Sequence, residues 1–81
     1  MADSSYIVLG RGVKQRITDV YREYKNSTLH MNYEKKTVSI TTNGKDEGVL
    51  IFGEIGEVLC KLADGLADCS FQSIFDKVKQ L

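Results

Sequence analysis

Asn43-Gly44 constrains this chain more than any other dipeptide in it. Both residues tolerate positive φ, and the two-residue type I′ turn of a tight hairpin demands positive φ at both positions. The pair sits among runs whose apolar residues recur at every second position. Leu29, Met31 and Tyr33 alternate with His30 and Asn32, and Val38 and Ile40 alternate with Thr37, Ser39 and Thr41. That period is the signature of strands with one buried face, and the charged run Glu34-Lys35-Lys36 between them reads as a turn. Beyond Asn43-Gly44, Val49-Leu50-Ile51-Phe52 is apolar at consecutive positions. A strand of that kind is expected to be covered on both faces, which predicts a central place in the sheet. The result is a three-strand antiparallel meander.

On either side of the meander the period lengthens to that of a helix. Val13, Ile17, Val20, Tyr21 and Tyr24 form one apolar stripe, backed by Lys14, Gln15, Arg16, Asp19, Arg22, Glu23 and Lys25. Ile55, Val58, Leu59, Leu62 and Leu66 form a second, with Glu54 and Glu57 in its opening turn, where the helix dipole favours negative charge. Gly56 and Gly65 weaken that helix by their backbone freedom. Phe71, Ile74, Phe75, Val78 and Leu81 form a third stripe, which Ser70 is placed to cap. Ahead of everything, Tyr6-Ile7-Val8-Leu9 reads as a short strand ending at Gly10-Arg11-Gly12, and Met1 to Ser5 as a frayed polar start. The predicted architecture is a single α+β domain over 1–81, of order β-α-β-β-β-α-α, an antiparallel meander with helices packed on one face.

A chain of 81 residues buries a thin core, which makes association with a partner or a second copy an expected property. No apolar run approaches the roughly 20 residues needed to cross a bilayer. With no basic, apolar leader at its start, a cytoplasmic location without membrane attachment is expected. Cys60 and Cys69 are too few and too widely spaced for a disulfide framework, and read as small apolar residues.

The chemistry-bearing residues are sparse. Gly10-Arg11-Gly12 before a helix suggests a phosphate cradle, but position 15 is Gln15 where a dinucleotide fingerprint needs glycine, and no Walker pattern exists. A structural turn is the expected role. His30 is the one histidine, and neither cysteine has a neighbour that would lower its pKa. Neither catalysis nor metal ligation is expected from this set, and no cofactor is implied. The charge is neutral overall but uneven: residues 1–40 carry a net +3 and residues 41–81 a net −3. Two partner surfaces emerge. One is the basic first helix, Arg11, Lys14, Arg16, Arg22 and Lys25, which could follow a phosphate backbone. The other is the apolar C-terminal helix, represented by Phe71, Phe75 and Val78. The edges of a small sheet offer a further docking route. The leading expectation is a non-enzymatic protein-binding module, a regulator, adaptor or inhibitor of the kind that viruses and phages direct at host machinery, with homodimer formation possible. The alternative is a nucleic-acid-associated regulator working through the first helix.

Overall fold

The computed structural model describes residues 12–81, so the predicted strand Tyr6–Leu9, the polar start and Arg11 lie outside the described residues. In chain order the elements are α1 (Val13–Glu23), β1 (Thr28–Asn32), β2 (Thr37–Thr42), β3 (Lys45–Ile51), α2 (Gly53–Ala63), β4 (Asp68–Ser70) and α3 (Phe71–Lys79). The strands form one antiparallel sheet in the order β3-β2-β1-β4. The α+β class and the meander stand as read. β4 is an addition, inserted between the last two helices.

The turn between β2 and β3 is the one that Asn43-Gly44 demands, with φ of 55° and 79° at the two residues. Register follows from it. Leu29 faces Ile40 and Met31 faces Val38 across β1 and β2, and Val38 faces Ile51 across β2 and β3. These side chains share one face of the sheet, and the core forms between that face and the helices. Ile17, Leu29, Val38, Ile40, Leu59, Phe71 and Val78 are wholly buried there. A side chain of this size gains about 1.5–3 kcal/mol on full burial.

The consecutive apolar run behaves differently from its reading. β3 is an edge strand among the described residues, and its residues alternate after all. Val49 and Ile51 turn toward the core, whereas Leu50 is 58% exposed, and Phe52, at the α2 N-cap, is 71% exposed. The expectation of a central, doubly covered strand is therefore corrected: the helices cover one face only. The pairing of β2 with β3 is also irregular between Ser39 and Thr41, where the register shifts. Gly48 lies in the shifted stretch with φ of 70°, and its amide donates to Asp46 Oδ1 at 2.8 Å.

The helices end where local chemistry stops them. α2 closes at Asp64 and Gly65, both left-handed, so Leu66 falls outside the helix and is exposed, contrary to its place in the predicted stripe. Leu81 likewise lies past α3 and is exposed. Ser70 caps α3 as its residue type predicts, accepting from the Ser73 amide at 3.2 Å. The Phe71 amide donates to Ser27 O at 3.0 Å, which ties the start of α3 to the segment entering β1.

Candidate functional site

The helices leave the other face of the sheet open. By the strand pairing it carries Thr28, His30 and Asn32 on β1, Thr37, Ser39 and Thr41 on β2, Asp46 and Leu50 on β3, and Asp68 and Ser70 on β4. This surface is hydroxyl-rich, its charged side chains are two aspartates, and Leu50 is its one large aliphatic group. At its centre His30 bridges three strands. Nδ1 lies 2.6 Å from Asp68 Oδ1 and Nε2 lies 2.7 Å from Thr41 Oγ1. A neutral imidazole satisfies both contacts when Nδ1–H donates to the carboxylate and Nε2 accepts the threonine proton.

The order carboxylate, imidazole, hydroxyl is the order of an acid–base relay. Here it lies on a half-exposed sheet surface, where its evident effect is to bind β4, β1 and β2 together. Sequence reading found His30 and set it against the cysteines. The structure puts Cys60 and Cys69 on the helix side of the sheet and His30 on the other, so no cysteine–histidine pair forms. The real partners, Asp68 and Thr41, were missed. Asp68 is 38 residues away from His30 in the chain, and only the pairing of β4 with β1 brings it close.

The second feature is the end of β3. Leu50 and Phe52 stand exposed at the end of β3, and Phe52 borders an open depression of about 400 Å³ lined also by Gly12, Val13, Arg16, Glu54 and Ile55. Asp46 shares the open face with Leu50, and Glu54 and Arg16 line the depression with Phe52. The pair follows from the β3 alternation and from the turn into α2.

The basic residues of α1 are all exposed but do not form one stripe. Arg16 faces the depression near Phe52. Lys14 lies on the α3 side, where its Nζ donates to Leu81 O at 3.3 Å. Arg22 lies eight residues on from Lys14, turned about 80° around the helix axis, and Lys25 follows beyond the helix end. Among the described residues, no carboxylate pairs with Lys14, Arg16, Arg22 or Lys25.

The predicted apolar surface of α3 is corrected by burial. Phe71 and Val78 have no exposure at all and belong to the core. Phe75 alone reaches the surface, and it is partly covered. Its ring stacks on Tyr21 at 4.1 Å, and Lys79 Nζ lies 5.6 Å from its centre. Tyr21 also meets Phe71 edge-on at 5.2 Å, so this aromatic cluster is the seam between α1 and α3.

Both cysteines are free. Burial pushes both thiols above their ordinary pKa. Cys60 Sγ lies 3.7 Å from Thr37 O, its nearest acceptor. These are the properties of small apolar residues. Among the described residues, no group of three or more His, Cys, Asp or Glu side chains could hold a metal ion. No helix there is long and apolar enough to cross a membrane. Comparison with protein-family models, with curated proteins and with solved structures finds no match.

Proposed function

We propose that this chain is a non-enzymatic protein-binding module that docks an extended, basic and apolar segment of another protein against the end of β3. The observation that carries this reading is the exposure of Leu50 and Phe52, 58% and 71%, on a paired strand and at a helix cap. Apolar anchors on ordered backbone bind with little further loss of entropy. Asp46 and Asp68 on the open face with Leu50, and Glu54 beside Phe52 at the depression, favour a cationic segment. A strand added at a sheet edge supplies main-chain bonds, while side-chain contacts such as these supply specificity.

Selection from a random peptide library tests the reading. Enriched peptides should combine alternating apolar residues with Lys or Arg. Changing Leu50 and Phe52 together to Ser should weaken their binding roughly a hundredfold, the equivalent of about 3 kcal/mol of lost apolar burial. Arg22→Ala should leave it unchanged. Failure to enrich any peptide, or binding indifferent to the double change, would overturn the proposal.

A second reading keeps the nucleic-acid alternative, because Lys14, Arg16, Arg22 and Lys25 are exposed and pair with no carboxylate side chain among the described residues. Gel-shift titration at two salt concentrations distinguishes it. Salt-sensitive binding lost in Arg22→Ala supports this reading, and no binding at low salt dismisses it.

A further inference from the structure

The turn that sets the β2–β3 register also holds a reactive pair. We propose that Asn43-Gly44 is a self-modification site, at which the Gly44 amide nitrogen attacks Asn43 Cγ within the folded hairpin and converts the asparagine to aspartate and isoaspartate. The inference rests on backbone geometry and is independent of any docking role for β3.

Closing the five-membered imide requires ψ of the asparagine near −120°, which brings the next amide nitrogen alongside Cβ. In the type I′ turn Asn43 has φ of 55°, and its ψ belongs near the positive value of that turn class. Rotating only the peptide unit between Asn43 and Gly44 converts a type I′ turn into type II′. In the latter the first central residue keeps φ near +60° and takes ψ near −120°. Both classes join antiparallel strands in a two-residue hairpin, so the flip does not require the strands to separate. Gly44, at φ of 79°, can take the negative φ that the flipped form needs, because glycine occupies positive and negative φ about equally readily. The cross-turn bond of a β-turn uses the amide of its fourth residue, here Lys45, and leaves the Gly44 amide out of it.

The chemistry balances with water as the one co-reactant. A bond forms between Gly44 N and Asn43 Cγ, the Cγ–Nδ2 bond breaks, and ammonia leaves with the amide proton of Gly44. Water then opens the imide. Breaking the new N–Cγ bond gives aspartate with the chain restored. Breaking the original peptide bond gives isoaspartate, with the chain running through Cβ and one backbone atom longer at the turn.

Among the described residues, three other sites of related chemistry are held back by contacts. The Ser27 amide after Asn26 donates to Tyr24 O at 3.2 Å. Asn32 Oδ1 accepts from the Lys35 amide at 3.0 Å, and the following residue is the bulky Tyr33. Asp64-Gly65 also has left-handed φ at both residues, 53° and 89°, but the Gly65 amide donates to Tyr33 Oη at 2.9 Å.

The test is incubation of the folded chain at neutral pH, followed by tryptic digestion and mass spectrometry of the peptide spanning 37–45. Isoaspartate is read by isoaspartyl-specific methylation. The exchange of NH for O should appear in this peptide and be absent from those containing Asn26 and Asn32. The folded chain should react within about tenfold of the isolated 37–45 peptide, a barrier difference of no more than ~1.4 kcal/mol. Asn43→Gly, which keeps a sequence suited to the type I′ turn, should abolish the signal. A folded-state rate more than tenfold below that of the peptide would overturn the proposal, because the hairpin would then protect the pair. Equal modification at Asn26 would overturn it as well.

Discussion

Gly56→Ala tests how α2 is seated. Helix propensity alone favours the change, because glycine in a helix interior costs about 1 kcal/mol relative to alanine. The packing argues the reverse. A Cβ at position 56 would lie 2.6 Å from Lys36 O and 2.9 Å from Ile51 O, distances that carbon and oxygen do not tolerate. Both atoms are backbone, one in the β1–β2 turn and one at the end of β3, so neither can swing aside as a side chain would. Overpacking costs typically about 1–3 kcal/mol, and two fixed neighbours place this site at the upper end. Subtracting the propensity gain leaves a net loss of about 2 kcal/mol. For a domain of this size that lowers Tm by roughly 10 °C. Urea unfolding followed by far-ultraviolet circular dichroism gives the free energy, and thermal scans give Tm. A variant as stable as the parent, or more so, would show that α2 does not approach the β1–β2 turn and the β3 end as closely as described.

Ser70→Ala should cost about 1 kcal/mol in the same urea assay through loss of the α3 cap, while Ser70→Gly should cost only a few tenths; equal effects would refute the cap. Cys60 and Cys69, whose thiols burial holds above their ordinary pKa, should react slowly with a thiol reagent at neutral pH and quickly in denaturant, Cys60 the slower of the two. Folding favours the neutral thiol, so that stability is complete below the unfolded pKa and is lost as pH rises through the folded value; prompt native-state labelling would contradict this. The Glu57 carboxyl is held below its usual range by the Lys36 ammonium, 3.1 Å away, with Lys36 and Lys61 charge adding to the effect. Its contribution is present above the ordinary carboxylate pKa and is lost as pH falls through the depressed one. Lys36→Met should move the Glu57 carbon resonance titration upward, and an unchanged titration would refute the pairing.

Local information was read from this chain well, and long-range information was not. Asn43-Gly44, the alternating runs of β1 and β2, the stripes of α1 and α3 and the Ser70 cap all depend on residues within a few positions of one another. Each came out as read except at Tyr33 and Leu81, which fall past the ends of β1 and α3 and are exposed. β4 failed to register because three residues, Asp68 to Ser70, are too short to show a period. They become a strand because Ser70, Cys69 and Asp68 pair with Thr28, Leu29 and His30. The His30 contacts are consequences of that pairing. The place of β3 was misread because an apolar run fits either a doubly covered strand or an edge strand running into a helix cap. Gly56 looked like a weakness of α2, and only the approach of two carbonyls from distant segments shows why a glycine belongs there.

The same burial that corrects the α3 surface narrows where a partner can bind. Phe71, Ile74 and Val78 are consumed by the core, and Phe75 is occupied by Tyr21 and Lys79. Among the described residues, the large apolar residues left exposed are Tyr33, Leu50, Phe52, Leu66 and Leu81. Tyr33 is committed, since its hydroxyl donates to Leu66 O at 2.7 Å and accepts from the Gly65 amide. Leu66 and Leu81 lie past the ends of α2 and α3, each with no second large exposed apolar residue within two positions in the chain. Among the described residues, Leu50 and Phe52 are the two large exposed apolar residues that lie within two positions of each other in the chain. Covering them is worth about 3 kcal/mol, which by itself supports only weak, worse than millimolar binding. The remainder of any useful affinity must therefore come from main-chain bonds and charge along the sheet, and a compact apolar ligand lacking both should bind poorly. That makes peptide length the informative variable: affinity should grow as a peptide extends along the strand direction, and a Phe-Leu dipeptide should show no measurable binding.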